Sequence, residues 1–417
     1  MIARIYCIAI EYIKRIKGTS PFIVSLLLTA ALLPLSIKAA SFCVALNLLS
    51  WFFYKEKNFG NIKPALFFAA LFFINLVGLL YTETQNMKFG VLKTESKLSL
   101  LIFPLIILNS RIPPRYIAEI IRTFSIAVVA SCVITILKVF LFTPFNELSI
   151  ANFTYGELYI VSGIHPTYMG AYIFIAITYF LNAPPTENDK QKTLKLAGLI
   201  FLLLYCILLS SRAILLSIII FLIVSLFIRK EEKKSVLYLS LALIAGIISA
   251  ITFVPELRDR FVHAVADIVH FRNKADDKSS SAGLHAQIWY CSLQQIDWLH
   301  LIQGYGTGDE KSLLSRCYLS NNWLFLYKEN LDSHNEYLSQ LIRHGLIGLG
   351  FFVANVVLPL RKAFKQKDMM YCGFLITIIV MGLFGSLNHL NGIIFYAFFN
   401  SLLFLTLQNK ENSVFIK

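Results

Sequence analysis

Apolar stretches separated by short polar ones set the plan of this chain. They cover residues 21–37, 39–54, 64–81, 98–108, 117–142, 167–181, 194–209, 213–228, 236–254, 337–358, 370–384 and 390–407. A helix needs roughly 17 to 25 apolar residues to cross about 30 Å of hydrocarbon, where every backbone polar group must be bonded internally. The alternation of barrel strands is not visible. The pattern therefore predicts an all-α polytopic membrane protein of about 12 transmembrane helices, with one large extracytoplasmic loop domain between the ninth and tenth. The boundaries follow: a cytoplasmic segment at 1–20, helices 1–9 within 21–254, the loop domain at 255–335, helices 10–12 within 336–407, and a cytoplasmic tail at 408–417. Inspection finds no repeat of fixed period.

Composition agrees with the pattern. With 57% apolar and 15% charged residues, 35 Phe and a mean hydropathy of +0.67, the hydrophobic stretches exceed what a soluble core absorbs. The net charge of +14 would raise nucleic acid as a partner for a soluble protein. Here the charge sits in short loops, so membrane topology explains it and no nucleic acid is expected. The alternate loops at 55–63, 111–115, 190–195, 229–234 and 361–367 are all basic, whereas 145–164 holds two Glu and no Lys or Arg. The positive-inside rule then puts both termini in the cytoplasm and the long loop outside. The first 18 residues lack the layout of a cleaved secretory signal, so the segment is expected to be retained. In the long loop, 274–281 is polar and Ser-rich, the composition of a mobile tip.

Candidate chemistry falls on the predicted outer face. In Asp332-Ser333-His334-Asn335-Glu336, Ser333 and Glu336 have capping-box spacing, which would put Ser333 at the N-cap and His334 in the first helical turn. A helix N-terminus favours an anion and disfavours imidazole protonation, so His334 reads either as a neutral general base beside a phosphate or as a plain interfacial cap. Arg212, in the turn Ser210-Ser211-Arg212, breaks the charge pattern. It reads as a snorkelling side chain or as a fork of donors for a diphosphate. The run from Gly304 to Asp309 follows no strand, so a tight turn before a helix fits better than a nucleotide loop. His165, before Pro166, and His389, on the last outer turn, either face the same cavity as His334 or sit in the interface. Cys291 and Cys317 are the two cysteines of the outer loop, open to pairing in an oxidising compartment or to remaining buried thiols. No outer segment has zinc-site spacing, and Asp276-Asp277 reads as a solvated pair, so no metal and no cofactor are expected. Lys138 stands out as the charge within a predicted span.

Taken in order, these residues resemble the bacterial O-antigen ligase and polymerase superfamily. His334-Asn335, nine residues, then Gly345-Leu346-Ile347-Gly348 is similar to the ligase pattern; Trp289, the Gly304–Asp309 turn and the Ser-Ser-Arg turn also look like family features. The likeness covers 164–350, and the rest of the chain only as hydropathy. It implies a bacterial inner-membrane glycosyltransferase that moves O-antigen or a related glycan from undecaprenyl diphosphate to a lipid A core hydroxyl at the periplasmic face. The implied transfer is inverting and metal-independent, with membrane lipids as neighbours. His334 would be the catalytic base and Arg212 a catalytic diphosphate contact, with Asn335 and His165 as further site candidates. Family members often carry Arg four positions before the loop Trp; here that position is His285, so Arg258, Arg260 or Arg272 would supply the second diphosphate contact. The same resemblance allows a polymerase that joins repeat units or, less closely, a protein O-oligosaccharyltransferase. A secondary transporter shares the hydropathy but would want more charge at the bilayer midplane.

Overall fold

The computed structural model describes residues 18–182, 189–209, 211–228, 245–246, 252, 258, 267–271 and 281–414. The basic run 229–234, most of the ninth predicted span at 236–254, and Ser210, Arg260, Arg272, Asp276 and Asp277 lie outside the described residues.

Helices account for the described architecture. They are α1 (Pro21–Leu32), α2 (Ile37–Phe52), α3 (Ile62–Val77), α4 (Met87–Ser96), α5 (Ser99–Leu108), α6 (Pro114–Phe142), α7 (Tyr155–Ser162) and α8 (Pro166–Asn182). After them come α9 (Asp189–Leu209), α10 (Arg212–Ile228), α11 (Ser281–Gln294), α12 (Glu310–Ser320), α13 (Leu324–Glu329), α14 (Glu336–Lys365), α15 (Met369–Phe384) and α16 (Leu390–Val414). Among the described residues the one extended pairing is an isolated bridge between Lys57 and Ser110.

Local chemistry sets several helix ends. Ser20 caps α1 through Ile23 N at 3.4 Å, with Pro21 at the first helical position, and Asp368 caps α15 through Tyr371 N at 3.1 Å. In the bundle, α5, α6, α15 and α16 meet around an aromatic core in which Phe124 lies 4.5 Å from Phe399 and Phe103 5.1 Å from Phe398, ring centre to ring centre. Such edge-on pairs suit the ring quadrupole.

Five described helices are long and apolar enough to cross a membrane, and five shorter apolar helices accompany them. The chain is thus a multi-pass membrane protein. Two predicted spans need correction. The first, 21–37, breaks after Leu32, and α2 already starts at Ile37. The fourth, 98–108, yields a helix of 10 residues, about 15 Å long, which covers only half the hydrocarbon. The preceding α4 carries Lys93 and ends at the cap residue Lys97, and both lysines are buried in protein.

The basic loops at 55–63 and 111–115 join one another, with Arg111 N donating to Glu56 O and Asn58 N to Asn109 O, each at 2.8 Å. The apolar-flanked turns at His165, Ser211, Leu331–His334 and Gly385–His389 gather separately, around one cavity.

The tenth predicted span is also redrawn, because α14 is broken at Gly345 (φ +61°, ψ −157°). There the helix releases two backbone donors to the preceding loop: Leu346 N bonds Leu301 O at 2.8 Å and Ile347 N bonds Ile302 O at 3.3 Å. Beyond the break, residues 346–365 form about 30 Å of helix, one full crossing. Before it, Glu336 to His344 is polar and packed in protein. A Cβ at Gly345 would stand 2.2 Å from Ile302 O, and one at Gly304, on the facing turn, 2.4 Å from the Arg343 carbonyl carbon. Gly345→Ala should therefore lower the detergent-state melting temperature and the yield of folded protein, by more than about 1–3 kcal/mol of backbone strain alone. Gly350→Ala is the internal control: its Cβ would meet nothing within 4 Å, so an equal loss in both would remove the break as the cause.

Candidate active site

The sequence motif around His334 folds differently from its capping-box reading. Asn335 is the N-cap of α14, its side-chain oxygen accepting from Tyr337 N at 3.0 Å and Leu338 N at 3.1 Å. Ser333 is taken by a partner distant in sequence: its N–H and hydroxyl donate to Glu310 Oε1 at 3.1 and 2.8 Å. His334 therefore stands before the helix, in the left-handed region at φ +45°, not in its first turn. Asp332 stabilises that conformation by accepting the His334 backbone N–H at 3.2 Å, an Asx turn.

Asp332 also governs the ring. His334 Nδ1 lies 3.0 Å from Asp332 Oδ1 and 3.0 Å from the Asp332 carbonyl, which leaves Nε2 as the nitrogen able to meet a substrate. The other carboxylate oxygen accepts from Ser386 Oγ and Asn388 Nδ2, both at 3.0 Å, and lies 3.7 Å from Lys93 Nζ. Burial opposes ionisation of Asp332, but these donors hold its carboxyl well below the usual carboxylate range. Burial likewise pushes His334 down, and the hydrogen bond and charge of Asp332 outweigh it, so its pKa is raised. This corrects the expectation that the helix terminus disfavours the proton.

A cavity of about 480 Å³ opens beside His334, lined also by Arg212, His165, His285, Trp289 and His389. That volume is in the range of small-ligand sites. Arg212 enters as the first residue of α10, His165 and His389 from the residues that precede α8 and α16, and His285 and Trp289 from α11. The ring centre of His285 is 5.8 Å from that of His334 and 5.9 Å from that of Trp289. Burial, then the charges of His334 and Arg212, lower the His285 pKa to about 3; burial and the neighbouring histidines lower that of His165 to about 4. His389 is lowered too, chiefly by burial. His334 is thus the one imidazole of the four whose pKa is raised, because Asp332 both bonds it and outweighs its burial. His285 Nδ1 and Trp289 Nε1 are buried without a hydrogen-bond partner, two polar atoms able to serve a ligand.

Of the sequence-predicted residues, the structure brings together His334, Arg212, His285 and His165. Arg258 is exposed and is not in the cavity lining, so it stands apart from the site as described; Arg260 and Arg272 lie outside the described residues. Among the residues lining the cavity, Arg212 is the permanent cation. Asn335 spends its side-chain oxygen on the helix end. Cys291 and Cys317 form a disulfide with Cα atoms 5.7 Å apart, tying α11 to α12. Among the described residues, no three or more His, Cys, Asp or Glu come together as metal ligands.

Sequence reading missed the support beneath the site. Arg343, fully buried, pairs with Glu310 (Nε to Oε2, 3.2 Å) and lies 3.8 Å from Glu336 Oε1. It also donates to Ser339 Oγ, which in turn donates to Glu310 Oε1 at 2.8 Å. Glu336 accepts from Leu387 N at 2.7 Å, which fastens the turn carrying Asn388. Lys138, singled out in the sequence, is exposed on α6, while Arg343 inside the tenth predicted span was passed over. The signal was present: Glu336, Ser339, Gln340 and Arg343 share one helical face at intervals of three and four.

A histidine-resolved NMR titration should place His334 above the ordinary value of 6.5 and the other three cavity histidines below it. Asp332→Asn should bring His334 down; a His334 pKa unmoved by that change would show that Asp332 does not set it. Residues 197–353 match the family described as O-Antigen ligase, a segment holding Arg212, His285, Trp289, His334 and the Gly345 break. No curated protein matches the chain. That match falls on the segment carrying most of the cavity's polar residues, so this multi-pass membrane protein is similar there to the O-antigen ligases.

Proposed function

We propose that this protein moves O-antigen or a related glycan from undecaprenyl diphosphate to a sugar hydroxyl of lipid A core, at the outer face of a bacterial inner membrane, with both termini in the cytoplasm. The observation that carries the reading is the His334 ring, oriented through Nδ1 by Asp332, in one cavity with Arg212. Base, orienting carboxylate and permanent cation are the three parts such a transfer needs.

The step balances simply. The acceptor oxygen attacks the anomeric carbon from the side opposite the diphosphate, and its proton passes to His334 Nε2. The bond between the anomeric carbon and the diphosphate oxygen breaks, and undecaprenyl diphosphate leaves with that electron pair. A sugar hydroxyl is a weak nucleophile near neutral pH, so a positioned base contributes about 10²- to 10⁴-fold. Arg212 opposes the charge that develops on the leaving group, and its planar fork suits two phosphate oxygens where Lys would offer a point charge. Trp289 Nε1 supplies a further donor. Single displacement inverts the anomeric configuration.

The acceptor is the finer question. In a deletion strain, lipid A core lacking all glycan indicates the ligase, core bearing one repeat unit indicates a polymerase, and an unaltered lipopolysaccharide ladder rejects both. His334→Ala and Arg212→Ala should reproduce the deletion at normal membrane abundance, and Arg212→Lys should recover little. The base must be neutral to act, so activity should climb with pH through a limb above the ordinary histidine value, since the His334 pKa is raised. Asp332→Asn should move that limb to lower pH while reducing the plateau. A limb that stays in place, or product of retained configuration, would require another base or a covalent intermediate.

A further inference from the structure

The loop that feeds the Gly345 break has an arrangement foreign to a loop in water. Between α11 and the Gly304 turn its polar side chains face one another: His300 Nδ1 lies 3.0 Å from the Asp297 carboxylate, Tyr305 Oη donates to Asp297 Oδ2 at 2.5 Å, and the His300 and Tyr305 rings stack at 3.8 Å. His300 N also donates to Asp297 Oδ1 at 2.8 Å. The apolar members project instead. Trp298 is 90% exposed, Leu299 86% and Ile302 63%.

Backbone bonds fix where that projection sits. Leu301 O and Ile302 O receive the N–H groups of Leu346 and Ile347, the first residues of the crossing part of α14, which are themselves half exposed and apolar. On the other side, Tyr81 Oη donates to Gln303 O at 2.9 Å, beside Leu80, which is 85% exposed just past the end of α3. These bonds tie together three segments that expose Leu80, Trp298, Leu299, Ile302, Leu346 and Ile347, at the end of α3 and the start of the crossing part of α14. This apolar surface continues along α14, the helix long and apolar enough to cross a membrane, where Phe351 and Leu358 are also exposed.

We propose that residues 298–302 are an interfacial anchor seated in the bilayer leaflet on the cavity's side, with Trp298 and Leu299 among the upper acyl chains and the Asp297–His300–Tyr305 cluster at headgroup depth. The occupant of this surface is phospholipid. Trp suits that level because its ring is apolar and its indole N–H meets the polar boundary. The tight internal bonding of the loop means that it presents its apolar side chains as a fixed wedge.

The test compares the full-length protein and Trp298→Phe, each reconstituted in phosphatidylcholine bilayers with and without lipid brominated on the upper acyl chain. The difference in tryptophan emission between the two proteins isolates Trp298 from Trp51, Trp289 and Trp323. Bromolipid should remove most of that difference signal and aqueous iodide little of it. Strong iodide quenching with no bromolipid effect would place the loop in water and overturn the proposal. Shielding from both quenchers would overturn it as well, and would mean that protein covers the loop. The Phe variant keeps an aromatic ring on an exposed position, so folding is not at issue in the comparison.

Discussion

A guanidinium taken wholly out of water has to be matched, and the arrangement of the cavity rests on how Arg343 is matched. Glu310 comes from α12, Glu336 and Ser339 from the helix of Arg343 itself, and each carboxylate has a second duty toward a loop of the site. Glu310 holds Ser333, next to His334; Glu336 holds the turn that brings Asn388 to Asp332. Removing one partner of such a buried pair typically costs about 3–5 kcal/mol, because the other charge is stranded. Here the loss would extend beyond stability, since His334 and Asp332 would lose their registration together.

The helix break serves the same end by another route. Gly345 frees α14 from a single straight path, so that its crossing part can lie against lipid while the segment before it lies against protein. The Gly304 turn fills the gap so closely that neither glycine tolerates a Cβ. Thr307, in that turn, donates to Asn75 O at 2.7 Å and lies 3.1 Å from His344 Nε2, which joins α3 to the same knot. A helix that changes surroundings at one residue thus carries charged groups on one side of the break and an apolar crossing on the other.

The broad plan was legible because lipid imposes it: runs of apolar residues had to be helices. Residues of the cavity were legible where polar groups beside apolar runs had no evident local use, as with Arg212 and His334. What escaped was decided by tertiary partners. Ser333 had the spacing of a cap, but Glu310, 23 residues away, captured its hydroxyl and left the capping to Asn335. The protonation of His334 followed Asp332 and not the helix end, an outcome that depends on an Asx turn at positive φ. Arg343 was hidden by the apolar residues around it, although its three- and four-residue spacing from Glu336 and Ser339 marked it. The break at Gly345 is written as a glycine but requires the partner loop before it means anything.

The bond between Cys291 and Cys317 closes the wall that carries His285 and Trp289 onto the helix that carries Glu310. Covalent closure of this kind needs an electron acceptor, and on the outward reading of the loop that acceptor is met only after the polypeptide has been threaded through the membrane. Biosynthesis would then impose an order on the molecule: the bundle is inserted first, and the chamber is sealed last, by oxidation. A chain still in transit would carry all of its reactive groups without the enclosure that lets them act together.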